Sequence, residues 1–77
     1  MRNFYSDNKI IEVIENITEG SYDREVDAEG IHYSGYDAVG DIVQINLVEK
    51  DGVRYLEMGI DGNVLTEGQI IDLFSSI

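Results

Sequence analysis

Four acids at alternate positions are the residues whose type and spacing best suit chemistry: Asp23, Glu25, Asp27 and Glu29. On a β-strand, alternate side chains stand on one face about 6.6–6.8 Å apart, so these carboxylates would form one row. Arg24 is the only base nearby, and like charges this close repel each other. The row therefore suits an anionic ridge that binds a basic groove, while a solvated face that only keeps the chain soluble fits equally well.

A second set of acids follows a helical stripe: Glu12, Glu15 and Glu19. Like-charge pairs at this spacing cost a few tenths of a kcal/mol each. Glu19 also lies at the negative end of the helix dipole, where a carboxylate is unfavourable. Two anionic rows could imitate a phosphate backbone, although the strand row has only about half the linear charge of one DNA strand.

The same acidic segment has a partial likeness to a calcium-binding loop. Read from Glu25, the acids and Gly30 imitate the first half of an EF-hand. The match then fails, because the twelfth position is Tyr36 instead of glutamate. We expect no dedicated metal site and no cofactor, and weak cation condensation stays open.

The chain has few groups suited to catalysis. His32 is the only histidine, and no recognised motif places a nucleophile beside it. The serines include no nucleophile elbow, and the glycines form no phosphate-binding loop. We therefore expect no catalytic residue and no enzymatic activity, with His32 a surface side chain whose protonated form is favoured by neighbouring acids.

Composition narrows the partner classes. The chain has 77 residues, 16 acids, five bases and a net charge of −11. Such a charge repels nucleic acid and anionic membranes and attracts basic surfaces. There is no cysteine, and we find neither an apolar run that could span a membrane nor a signal peptide. These features predict one domain, residues 1–77, in the cytoplasm, without direct nucleic-acid binding.

The elements that must position these residues can be read from periodicity. A helical face predicts a first helix over Asp7–Glu19, and alternation predicts a strand from Tyr22 that either continues through Ile31–Tyr33 or restarts there. Ser34–Gly40 is expected to be a loop. Asp51-Gly52 predicts a hairpin between Ile42–Val48 and Val53–Ile60.

The register of this hairpin follows from its turn. A two-residue loop pairs Leu47 with Leu56, Ile45 with Met58 and Val43 with Ile60, which places all three apolar pairs on one face. A capping box, Thr66 to Gln69, begins a second helix that ends near Ser76. The predicted fold is α+β, in the order helix, three-stranded antiparallel sheet, helix (αβββα), with both helices on one sheet face.

Tyrosines are the most suitable apolar anchors for a partner. Tyr33 and Tyr36 flank the acidic segment, and Asp37 lies beside them near the tip of the predicted loop. We expect at least one of the two rings to be exposed. The candidate partner-binding residues are Glu12, Glu15, Glu19, Asp23, Glu25, Asp27, Glu29, Tyr33, Tyr36 and Asp37.

In size, acidity and element order the chain resembles the small anti-CRISPR and anti-defence inhibitors encoded by bacteriophages, without a diagnostic motif. The resemblance implies a non-enzymatic inhibitor in the host cytoplasm. Such a protein would occupy the basic nucleic-acid-binding surface of a CRISPR-type effector by phosphate mimicry. The alternative is a small interaction or assembly domain, such as a homodimer burying Val48 and Tyr55, whose acidity serves solubility.

Overall fold

The computed structural model describes all residues, 1–77, and has an α+β fold with two helices and a five-stranded antiparallel sheet. The strands follow one another in space in chain order, so every connection between neighbouring strands is a turn or short loop. The elements are α1 Asp7–Thr18, β1 Tyr22–Val26, β2 Gly30–Tyr36, β3 Ile42–Lys50, β4 Val53–Ile60, β5 Asn63–Val64 and α2 Glu67–Ser75.

The prediction of a three-stranded sheet is wrong, and the segment after α1 shows why. The chain reverses after Val26, so that Val26 pairs with Ile31 and Arg24 with Tyr33. One carboxylate oxygen of Asp27 accepts the N–H groups of Glu29 and Gly30, at 2.9 and 3.2 Å, and holds the turn. An acid interpreted as part of a strand row is therefore the residue that ends the strand.

Two further parts of the sheet were also missed. Strand β2 continues to Tyr36 and takes in the first residues of the predicted loop Ser34–Gly40. After β4, the chain turns at Asp61 and Gly62, and the two-residue β5 pairs Val64 with Gly59. A strand of two residues has no periodicity of its own, so alternation of side chains cannot reveal it.

The β3–β4 hairpin has the predicted register: Leu47 opposes Leu56, Ile45 opposes Met58 and Val43 opposes Ile60. Asp51 and Gly52 both have positive φ, 52° and 77°. This is the backbone of a type I′ turn, whose twist matches the strands it joins. Turn chemistry and apolar alternation therefore specify the same pairing.

Both helices begin at side-chain caps. Ser6 caps α1, and Thr66 and Gln69 form the predicted capping box at α2. Helix α1 ends at Thr18, because Glu19 adopts a left-handed conformation with φ 55° and closes the helix. Glu19 is thus a helix C-cap, one residue beyond the helix.

One cluster of 11 buried apolar side chains joins both helices to one face of the sheet. Helix α1 contributes the β-branched face around Ile14, and α2 contributes Ile70 and Phe74. The sheet contributes the apolar hairpin pairs together with Tyr33. No buried side-chain nitrogen or oxygen lacks a hydrogen-bond partner, and the second face of the sheet has no layer over it.

Gly30 is a backbone constraint of this fold that can be tested. Its φ is 151°, and a Cβ built there would lie 1.8 Å from the carbonyl oxygen of Leu47 on the neighbouring strand. Since neither backbone can yield cheaply, Gly30→Ala should lower the free energy of unfolding by about 2 kcal/mol or more in urea titrations.

The matched control is Gly68→Ala in α2, where an added Cβ meets nothing within 4 Å. Replacing an exposed helical glycine by alanine should raise the free energy of unfolding by about 0.5–1 kcal/mol. A Gly30→Ala variant as stable as the wild type would contradict the close approach of β2 to β3.

Candidate interaction surface

The candidate site is the sheet face that the helices leave uncovered, here called the open face. Cross-strand register places one polar row across it, from Glu25 through His32 and Asn46 to Glu57. A parallel row runs from Asp23 through Ser34 and Gln44 to Gly59. Neighbouring strands are about 4.8 Å apart, so the rows form a continuous polar surface.

The acids of β1 on the open face have no basic partner. Asp23 and Glu25 are exposed, and neither takes part in any of the three ion pairs of the structure. Arg24 lies on the opposite face, with its guanidinium 6.0 Å from the ring centre of Tyr33. The nearest arginine is therefore directed away from the acidic row. His32 opposes Glu25 on the open face, but its ion pair is with Asp27, so Asp23 and Glu25 stay unpaired.

The structure brings only part of the predicted strand row together. Asp23 and Glu25 stand on β1, while Asp27 and Glu29 lie in the turn that follows. The carboxylate of Asp27 is also less available to a partner, because it accepts two backbone N–H groups and contacts His32. The anionic row on the strand is two residues long instead of four.

The helical stripe lies on the other side of the sheet from Asp23 and Glu25. Glu12 pairs with Lys9 at 3.2 Å, and Glu15 accepts a hydrogen bond from the Tyr22 hydroxyl at 3.2 Å. Desolvation, followed by this bond to Glu15, raises the pKa of Tyr22. The two acidic rows therefore lie on opposite faces of the sheet and do not form one ridge.

The remaining predicted contact residues divide between surface and interior. Tyr33 is 1% exposed and belongs to the core, so it is not available as a surface anchor. Tyr36 is 62% exposed on the open face. Asp37 holds the β2–β3 turn, since its carboxylate accepts the N–H groups of Val39 and Asp41.

An apolar patch on the open face was missed by sequence reasoning. Tyr36 pairs with Ile42, which is 47% exposed, and Val64 on β5 is 81% exposed. Between Ile42 and Val64 the sheet carries Gly59, and the missing side chain leaves a groove of about 440 Å³. In the sequence, only Ile42 could have indicated this patch, because it is an apolar residue on the face of β3 opposite to the buried residues of that strand.

His32 is held on the open face by both ring nitrogens. Its Nδ1 lies 2.7 Å from Oδ1 of Asn46, and its Nε2 lies 3.0 Å from Oδ1 of Asp27. Both partners are acceptors as placed, so both nitrogens donate when the ring is protonated. The bond to Asn46 and then the bond to Asp27 raise the pKa of His32, and the bond from His32 lowers the pKa of Asp27.

This geometry predicts a titration that NMR can follow without assignment, because His32 is the only histidine. Its pKa should lie above the ordinary value of 6.5, and Asn46→Ala or Asp27→Asn should each lower it. The raised pKa stabilises the fold fully below pH 6.5, and this contribution is lost as the pH rises through the folded-state pKa.

Asp27→Asn keeps an oxygen that can accept the turn N–H groups, so the variant tests the charge more than the turn. Asp72→Asn, an exposed acid on α2, is the control and should leave the pKa of His32 unchanged. A wild-type pKa at or below 6.5 would show that these contacts do not form in solution.

No three side chains of the metal-binding types converge in a group that could hold an ion. Neither helix has the length and apolar content needed to cross a membrane. No protein-family model matches the chain, and neither a curated protein nor a solved structure shows significant similarity to it.

Proposed function

We propose that the chain is a non-enzymatic inhibitor that binds a basic, nucleic-acid-binding surface of a host defence effector of the CRISPR type. The observation that carries this proposal is the uncompensated charge of Asp23 and Glu25 on an uncovered sheet face. Both side chains are exposed and project from a strand, so a partner can approach them without any rearrangement of the fold.

The charge balance of the whole chain supports a basic partner. Three of the 16 acids form ion pairs, which leaves 13 without a base. Exposed carboxylates at strand spacing repel each other, and a basic surface would convert that repulsion into attraction while speeding encounter. Such an interaction weakens with salt, because screening shortens the reach of exposed charges.

Inhibition would follow from occupancy. A basic channel that holds nucleic acid binds phosphates largely through their charge, and an acidic protein seated there excludes them. The open face offers Asp23, Glu25 and Glu57 for this contact, with Tyr36 as an exposed aromatic anchor. The proposed place of action is the host cytoplasm, where such effectors meet their nucleic acids.

The proposal is tested by capture from a nuclease-treated bacterial lysate on the immobilised full chain. We expect retention of a nucleic-acid-binding effector that DNA or RNA releases in competition. Reversing charge with Asp23→Lys and Glu25→Lys should reduce capture by about tenfold or more, because two attractive contacts become repulsive.

Glu67→Lys with Asp72→Lys is the matched control, since two reversals on α2 change the net charge by the same four units on the opposite side of the molecule. This control should retain the effector. If both variants lose the effector equally, the binding depends on net charge alone. If the β1 variant captures as much effector as the wild type, the proposal is wrong.

A second candidate function, an assembly domain, rests on the apolar patch of Tyr36, Ile42 and Val64. Exposed apolar side chains grouped around a groove on a sheet face are typical of surfaces covered by another protein. A second copy could cover this patch, and the predicted pair Val48 and Tyr55 lies on the same open face. On this hypothesis the acids serve solubility.

The second candidate predicts a mass that rises with concentration in sedimentation equilibrium. Val64→Ser should shift that equilibrium towards monomer, because it removes apolar area from the contact. Val39→Ser is the matched control, since Val39 is also 81% exposed but lies in the β2–β3 turn. A wild-type protein that stays monomeric at all concentrations contradicts this candidate.

A further inference from the structure

The two edges of the sheet are treated differently. On the side of β4 that faces away from β3, the first residues of the chain and the β5 segment form hydrogen bonds with the β4 backbone. The Asn3 N–H donates to the Arg54 carbonyl. The Met1 ammonium donates to the Leu56 carbonyl at 2.9 Å, and the Leu56 N–H donates to the Met1 carbonyl at 2.7 Å. The Leu65 N–H donates to Met58 at 2.9 Å. The outward backbone groups of β4 are therefore paired along most of its length.

The edge at β1 has no such cover. In an antiparallel ladder, hydrogen-bonded pairs alternate along the strand. The Asp27 N–H donates to the Gly30 carbonyl at 2.9 Å, so the bonded pairs continue at Glu25 with His32 and at Asp23 with Ser34. The backbone groups that face outward consequently belong to Tyr22, Arg24 and Val26.

The side chains along this edge have opposite character on the two faces. Asp23 and Glu25 project on the open face, without basic partners. On the helix face the edge presents the half-buried ring of Tyr22, the exposed side chain of Arg24 and Val26, which is 62% exposed. An added strand would thus meet two acids on one side and, on the other, two apolar side chains that flank Arg24.

From this placement we propose that the β1 edge binds an extended basic segment of a partner protein as a sixth strand, with Lys or Arg alternating with apolar residues. The inference rests on the proposed function in that the partner is basic. It adds the mode of binding, which is main-chain pairing at one edge, with side chains supplying the charge and the register.

A second copy of the chain is a poor occupant of the same edge. If two β1 strands paired antiparallel about Arg24, Asp23 would oppose Glu25 of the other copy, and Arg24 would oppose Arg24. Like charges directly opposite each other are destabilising. Acids on an edge strand therefore hinder self-pairing and favour a basic strand.

The probe is a synthetic peptide, Lys-Val-Lys-Thr-Lys-Val-Lys, added to the full chain labelled with ¹⁵N. Binding should slow amide hydrogen exchange at Tyr22, Arg24 and Val26, whose N–H groups are free without it. The same peptide N-methylated at every backbone amide keeps its charge but has no backbone N–H to donate to the β1 carbonyls, and should bind about tenfold more weakly or worse.

A variant of the chain supplies the second arm. Val26→Pro removes an N–H that points out of the sheet, and edge strands tolerate proline at such a position. The variant should not bind the peptide, while its other amide signals should show that it is still folded. Equal affinity for the two peptides, or unchanged exchange at the three outward N–H groups, overturns the inference even if the proline variant fails to fold.

The two proposals can fail separately. If Asp23→Lys with Glu25→Lys releases the captured effector but a folded Val26→Pro variant retains it, the anionic surface stands and edge pairing is wrong. If a folded Val26→Pro variant and the charge-reversed variant both keep the effector, both proposals are wrong. Loss of the effector with each variant supports both.

Discussion

The β3–β4 hairpin is the constraint on which the rest of the structure depends. Its register places Val43, Ile45 and Leu47 on one face with their partners on β4, and both helices pack on that face. A slip of one residue would direct these side chains to solvent and remove the surface against which α1 and α2 are buried. Both helices of the structure are buried on that face, so neither covers the other one. The open face is therefore a consequence of how the core is made.

The distribution of charge follows from the same division. Strand β1 is an edge strand, and its side chains on the open face stay exposed. Acids are tolerated there because their charged groups remain in water. Arg24 lies on the helix side, where its guanidinium stands over the ring of Tyr33. Alternation of side chains along β1 thus separates Arg24 from Asp23 and Glu25. The charge of these two acids is uncompensated because successive side chains of the five-residue strand β1 point to opposite faces of the sheet.

Local signals predicted the parts of the fold that rest on local chemistry. Asp51-Gly52 and the alternation around it determined the hairpin, and Thr66 with Gln69 determined the start of α2. The strand count was wrong because Asp27 has the alternation of a strand residue while its carboxylate builds a turn. Burial of Tyr33 depends on which face of β2 meets α1, and that follows from pairing with β1 and β3. The apolar patch likewise needs β5, which brings Val64 beside Gly59.

Solubility and recognition place different demands on these acids. A solubilising charge needs only a sufficient net value, which acids on helices and loops supply as well as acids on a strand. Acids on an unpaired strand edge have an additional effect, because they decide which strands can join the sheet. The β4 edge needs no such charge, since Met1, Asn3 and Leu65 already occupy its outward groups. Of the two edges, the one left open for pairing is the one with Asp23 and Glu25 on it, and there the acids disfavour a copy of the chain and favour a basic strand.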